Sequence, residues 1–491
     1  MKKSLKIAML LGLIIAALFA AGIVNGAKKE VPQYVGSQAC LGCHADRWSS
    51  WAGSHHAGMV TPIENPSDIP GYDKATEEQK AELRKADYVI SGGRFVAKDH
   101  ETGKLVFLKF EWNHEENHWM DYDDAGVVWQ DRCMGCHVTN AGKSGVGNEP
   151  TEFGIGCEAC HGPGKDHLAS KGDPSKITLN VSSDVCGQCH SSGYTMKDGT
   201  RWPAGYRPAN KLMELEGLVP KAVDPNATAN LGHHKTYGEW LVSGHGPKAV
   251  LAPGASGHGT DECYACHTQE AVDAKAHNEE FKFDANKNYA SISCVTCHRP
   301  HGLGKAMDEK TMCATCHNGS LAEGTTVKPG STPHHPTKEF FQGWGAAGGI
   351  TSKGNVHEEV TCQECHMANN NHLMQVVKPN DPKLAEGSND ACTVCHNDSD
   401  REVRGAYLEM WQEFTTTKME ALKKDIAAIE AAVKAGATLT EAQKLAFDTA
   451  KTNVLFVEAD GSMGAHNFDY ATKIFSAAQK DLAAVKAAVV K

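Results

Sequence analysis

Apolar length is what this chain runs short of first: beyond Val24 no stretch is apolar enough to cross a bilayer. Positive charge is short as well. Lys and Arg number 49 against 60 Asp and Glu, a formal charge of −11. That balance gives no electrostatic reason to bind nucleic acid or an anionic membrane, and basic partner proteins or mineral surfaces match it better. No cysteine directly follows the leader, so nothing supports a lipid anchor there. Above all, no cysteine stands outside one five-residue pattern.

All 18 cysteines fall in nine copies of Cys-x-x-Cys-His. They are Cys40, Cys43 and His44; Cys133, Cys136 and His137; Cys157, Cys160 and His161; Cys186, Cys189 and His190; and Cys263, Cys266 and His267. The rest are Cys294, Cys297 and His298; Cys313, Cys316 and His317; Cys362, Cys365 and His366; and Cys392, Cys395 and His396. A zinc ribbon or a thioredoxin-like pair needs Cys-x-x-Cys but no histidine after it, and disulfides join distant segments rather than sulfurs three residues apart. Attachment of haem c needs this spacing: each thiol adds to one porphyrin vinyl group, and the adjacent imidazole becomes the fifth iron ligand. The sequence therefore predicts nine covalently attached haems c.

Lys2, Lys3 and Lys6 precede an apolar run, Ile7 to Val24, that ends in Asn25-Gly26-Ala27. This reads as a cleaved secretory signal, with a membrane anchor as the alternative. Cleavage would leave a periplasmic or extracellular protein without a membrane span, three units more acidic than the precursor. Nine haems between Cys40 and His396 leave roughly 40 residues for each, less than an ordinary domain needs to bury its own core. The porphyrins are expected to supply much of that core, on a fold that is mainly α with extensive loops.

The intervals between successive first cysteines are 93, 24, 29, 77, 31, 19, 49 and 30 residues. They divide the chain into a signal at 1–27, a four-haem region at 28–192, an irregular connection at 193–257, a five-haem region at 258–400 and a cysteine-free end at 401–491. In the first long gap, Tyr88 to Val96 and Lys104 to Phe110 flank Glu101-Thr102-Gly103, which predicts a β-hairpin region near 87–122. In the last region Met419, Leu422, Ile426, Ile429 and Val433 form a narrow helical seam that Gly436 ends. Thr440 and Gln443 can cap a second helix to about Val457. A third helix from near Asn467 presents Ala471, Ile474, Ala478, Leu482, Val485 and Val489 on one face. This C-terminal helical bundle could buttress its own chain or join a second copy.

Seventeen histidines remain after the nine in the motifs, enough to give each iron a second imidazole. Recurring local context selects ten candidate distal ligands. His301 follows Cys297-His298 closely, and His167 and His372 follow a motif histidine by six residues. His258 and His357 precede a first cysteine by five. His56 and His245 share Trp-x-x-Ser-x-His, as Trp51 to His56 and Trp240 to His245. His234 and His335 each end a His-His pair ahead of Glu239-Trp240 or Glu339-Phe340, and His466 completes the set. His55, His233 and His334 are adjacent alternatives; His100, His114, His118 and His277 rank below. Bis-imidazole ligation closes an iron to substrate, which favours electron transfer over chemistry.

Tyr34-Val-Gly-Ser-Gln-Ala-Cys40 running to Ser54-His55-His56, Phe153 to Gly164 with His167, and Cys186-Gly-Gln-Cys189-His190 resemble exported bacterial multihaem cytochromes c. These are relatives of the tetrahaem cytochrome of ammonia oxidisers and, more distantly, of hydroxylamine oxidoreductase and the pentahaem nitrite reductases. Asp460-Gly-Ser-Met-Gly-Ala-His466-Asn467 is similar to the carboxy-terminal region of that superfamily, which implies that His466 ligates a haem. Two departures count against its enzymes. No motif here ends in Lys, as the active haem of those nitrite reductases commonly does, and no tyrosine can be assigned the cross-link of hydroxylamine oxidoreductase. The expectation is a respiratory electron carrier between a quinol-oxidising donor and an outer-membrane or extracellular acceptor; the alternative is a reductase or oxidase of a small nitrogen or sulfur oxyanion with one open iron.

Overall fold

A computed structural model describes residues 33–490 except 143–149, 180, 225–234, 248–260, 277–278, 285–286, 288, 302–310 and 385–388. The leader therefore lies outside the described residues. Among them no helix is long and apolar enough to cross a membrane. The fold is mainly α, with small antiparallel sheets and a helical C-terminal end.

The β region is larger than a hairpin. Five antiparallel strands run in sequence order: β1 (Val60–Pro62), β2 (Tyr88–Ile90), β3 (Arg94–Lys98), β4 (Leu105–Asn113) and β5 (His118–Asp121). The edge strand β1 is too short to carry a period-2 signal, which is why sequence patterning starts at Tyr88. At the β2–β3 turn Ser91 and Gly92 both have positive φ, 49° and 77°. Neighbouring residues alternate between two buried faces. Ile90, Val96 and Phe107 pack with Trp129, Met134 and Val138 around the second motif, whereas Val89, Phe95 and Leu108 face Leu83 of the helix Glu77–Leu83. The sheet thereby holds one motif from behind.

Three long helices close the chain: α1 (Arg401–Lys434), α2 (Glu441–Asp460) and α3 (Phe468–Val489). Thr440 accepts from the Gln443 amide at 3.2 Å, and the Gln443 side chain accepts from the Thr440 amide at 2.9 Å, a complete capping box for α2. Asn467 caps α3 by accepting from Tyr470 N at 3.0 Å. Met419, Leu422, Ile426 and Ile429 are buried against α2 and α3, but Val433 is exposed, because the seam ends one turn before the helix does. The bundle packs on its own chain. Val327, Phe340, Ala346 and Ala347 join its core, and Asn453 exchanges two hydrogen bonds with the Ala347 backbone.

The front of α1 is tied to the last motif. Arg404 donates to Asp390 Oδ2 at 2.7 Å and to the His396 carbonyl at 2.9 Å, and the Asp390 side chain is fully buried. Asp390 also accepts from Cys392 N at 2.8 Å. Burial raises the Asp390 pKa, but Arg404 and these donors outweigh it and hold the carboxyl below its usual range. The described residues between 193 and 247 contain the strand pair Thr195–Met196 and Leu218–Val219 and the helix Thr236–Val242.

Candidate haem-binding sites

Each motif needs both sulfurs and the imidazole on one side of the chain, and a single helical turn provides this because positions i, i+3 and i+4 share a face. The turn is closed by the histidine amide bonding back to the first cysteine's carbonyl. His44, His190, His317 and His396 make that bond at 2.9 Å, and His298 at 2.8 Å. At the second motif Gly135 carries no side chain because a Cβ there would stand 2.0 Å from the Trp202 ring. Glu158, inside the third motif and almost wholly buried, accepts from the amides of Val35, Gly36 and Gly164 at 2.7–2.9 Å, pinning the amino-terminal segment to that site.

Eight motif histidines stand opposite a histidine from elsewhere in the chain. Ring centroids are 6.3 Å apart for His44 and His167, 6.3 Å for His190 and His56, 5.8 Å for His161 and His301, and 6.4 Å for His267 and His335. They are 6.2 Å apart for His298 and His372, 6.0 Å for His317 and His245, 6.0 Å for His366 and His466, and 6.3 Å for His396 and His357. A metal–imidazole bond is about 2 Å and the ligating nitrogen lies roughly 1.1 Å from the ring centre, so two imidazoles trans on one iron put their centroids about 6.2 Å apart. The observed spacing fits a shared iron. It is too wide for direct stacking.

One cavity of about 3310 Å³ runs past the histidines of the first eight motifs, including His137, and past all their cysteines except Cys133 and Cys263, and it touches Val394 of the ninth. Its walls include Trp48, Trp51, Ile155, Tyr237, Trp240, Ile292 and Leu373, the apolar surroundings a porphyrin needs. Burial lowers the pKa of His56, His245, His298, His301, His357 and His366, and that of His317 to about 4. These imidazoles are thus held neutral, the form that ligates a metal.

The motifs also touch one another. Cys40 reaches Cys157, Cys136 reaches Cys189, Cys186 reaches Cys294, and Cys313 reaches Cys362, each pair within hydrogen-bonding distance. These thiol sulfurs stand where thioether sulfurs would be, so the contacts record how close the attachment points lie rather than any acid–base device. Electrostatic neighbours extend the pattern, Cys160 to Cys186, Cys297 to Cys313 and Cys365 to Cys392. His335, opposite His267, is also 6.4 Å from His317. All nine motifs are linked.

Of the ten histidines selected by context, eight stand opposite a motif histidine, and His234 and His258 lie outside the described residues, as do His233 and His277. His55 is exposed, and so is His334, 4.2 Å from His335 between ring centroids. His118 is exposed in β5, and His100 and His114 are exposed in the turns after β3 and β4, with His114 bonded to the Gly92 carbonyl at 2.9 Å. The two Trp-x-x-Ser-x-His segments act alike. Trp51 donates to the Ile155 carbonyl at 2.8 Å and Trp240 to that of Ile292 at 2.9 Å, in both cases two residues before a first cysteine. The His-His echo repeats as well: Tyr237 N donates to His190 O at 2.9 Å and Lys338 N to His317 O at 3.0 Å. Sequence reading missed Asp460, Asp390 and Glu158, whose partners are remote or are backbone amides.

The family model for cytochrome c552 matches residues 331–491, that for cytochrome c554 and c-prime residues 98–162, and that for cytochrome c3 residues 233–318. Over most of its length the chain is similar to the outer cell wall cytochrome OcwA, with 29% identity, a TM-score of 0.79, and coverage of 91% of this chain and 99% of that one. It is a multihaem c-type cytochrome. The cytochrome is also similar to the undecaheme cytochrome from the S-layer of Carboxydothermus ferrireducens, 25% identical with a TM-score of 0.64 over 92% of this chain and 70% of that one. Cytochrome c-554 of Nitrosomonas europaea is 26% identical over 42% of the cytochrome and 75% of its own length. The multiheme cytochrome MtrA of Shewanella baltica is 24% identical over 33% of this chain and 42% of its own.

Proposed function

We propose that this cytochrome is a nine-haem electron relay working outside the cytoplasm, exported by its leader, between a quinol-oxidising donor and an outer-membrane or extracellular acceptor. When bound, haem c supplies a one-electron Fe(III)/Fe(II) couple. The chain does the rest. Eighteen cysteines would hold the porphyrin edges, and eight of the motif histidines, with His56, His167, His245, His301, His335, His357, His372 and His466 opposite them, would close their irons from both sides. His234 and His258 remain candidates on sequence grounds alone.

The single observation that carries the reading is the set of eight opposed imidazole pairs along linked motifs, because it provides a series of transfer steps between sites closed on both sides. In order, thiol contacts and electrostatic neighbours join motifs one, three, four, six, seven, eight and nine, with motif two branching at four and motif five, through His335, at seven. Likeness to an outer cell wall cytochrome and to an S-layer cytochrome supports an extracellular role.

Mixing the pre-reduced cytochrome with a soluble ferric chelate and, separately, with nitrite tests this. The relay predicts complete reoxidation by the chelate and a spectrum that nitrite leaves reduced. Catalytic nitrite turnover would overturn it in favour of the oxyanion reductase.

A further inference from the structure

The Nδ1 atoms of the histidines at these sites are not held alike. His161 rests its Nδ1 on the Thr178 carbonyl at 2.7 Å, His167 on that of Asp173 at 2.9 Å, and His372 on that of Asn370 at 3.0 Å. A carbonyl oxygen only accepts, so each ring carries its proton on Nδ1 and leaves Nε2 bare for the metal. His466 has a different partner. Its Nδ1 lies 2.7 Å from Oδ1 of Asp460, a carboxylate whose side chain has no solvent exposure. The other oxygen, Oδ2, accepts from the hydroxyl and amide of Ser462, so the carboxylate cannot turn away.

Local geometry explains the arrangement. Asp460 is the last residue of α2, Gly461 has φ 78°, and the turn that follows brings His466 back over the helix end. His466 then faces His366 across 6.0 Å, with Phe341 at its edge. The eighth motif it faces lies between the seventh, through Cys313 and Cys362, and the ninth, through Cys365 and Cys392.

We infer that Asp460 is a positioning residue that sets the reduction potential of the eighth haem site. Shared with a buried carboxylate, the Nδ1 proton leaves the imidazole partly anionic and a stronger donor at Nε2. Reduction of that iron adds one electron with no proton or bond transferred. A more anionic ligand stabilises the ferric side of this couple, so the site is held at a lower potential than a carbonyl partner would give. The relay then contains a deliberately low step near its carboxy-terminal end. The inference rests on the proposed ligation by His466.

The test is spectropotentiometric titration of the holoprotein and of Asp460→Asn, with haem counted in both. One component, a ninth of the absorbance, should move to higher potential. The expected change is roughly tenfold in the ferric/ferrous equilibrium, about 59 mV for a one-electron couple. Asp460→Glu should restore part of the shift. An unchanged titration in a variant with its full haem count overturns the inference. Should Asp460→Asn lose haem, near-infrared magnetic circular dichroism of the unaltered ferric protein decides instead. One ligand-to-iron band displaced to higher energy is expected, and a single common band contradicts the proposal. His466→Met separates the layers: if it leaves the low-spin spectrum unchanged, the ligation itself is wrong.

Discussion

Produced in a host that cannot attach haem, the full chain keeps two islands of protected structure and loses the region between them. Twenty buried residues form the core shared by α1, α2, α3 and the segment around Phe340 and Ala346, enough to hold that part without a cofactor. The sheet buries both faces and forms the second island. Between them the largest cluster is six residues, Val185, Tyr194, Tyr206, Leu212, Tyr237 and Trp240, packed beside a cavity of about 3310 Å³. Porphyrins must fill that space for residues 154–318 to fold, because so many short turns cannot offset their own conformational entropy. Hydrogen exchange read by mass spectrometry should show protection at 60–138, 327–347 and 419–489 and complete exchange between 154 and 318. Uniform protection would mean that haem is not the core.

Replacing Cys294 and Cys297 by alanine divides the relay. In the proposed relay these cysteines would attach the sixth haem; Cys294 reaches Cys186 on one side, and Cys297 is an electrostatic neighbour of Cys313 on the other, so the site joins the amino-terminal sites to the carboxy-terminal ones. Tunnelling falls steeply with edge separation, so transit between the two groups should drop by orders of magnitude while eight haems remain. Stopped-flow reduction by a donor protein should change from one coupled phase to a fast phase followed by a much slower one. A variant with eight haems and unaltered kinetics would show that electrons cross elsewhere.

The nine motifs, the capping box at Thr440 and the core face of α3 were open to sequence reading, because each is a short-range pattern with a local cause. Strand β1 was not, since three residues carry no period. The histidines were legible one at a time and illegible as pairs. A short offset from a motif singles out His301 and His372, but nothing local says that His301 faces His161 or that His372 faces His298. The pairing is decided by how distant segments close around one cavity. The same holds for Asp390 with Arg404 and for Glu158 with the amides of Val35 and Gly36: a carboxylate in a sequence does not announce which charge or backbone group it will be buried against. The Trp-x-x-Ser-x-His repeat is intermediate. Its recurrence is visible in the sequence, whereas the shared anchoring of Trp51 and Trp240 beside a first cysteine needs the fold.

The central claim is that opposed imidazoles close the irons along linked sites. Electron paramagnetic resonance of the ferric holoprotein, with spins and iron quantified against chain concentration, tests it most directly. The account predicts at least eight low-spin irons per chain. The signals of largest g should come from the two pairs with crossed ring planes, His56 with His190 at 75° and His357 with His396 at 84°, and more rhombic signals from the pairs at 12°, 22° and 25°. Two or more high-spin irons per chain that shift on adding nitrite or hydroxylamine would contradict it.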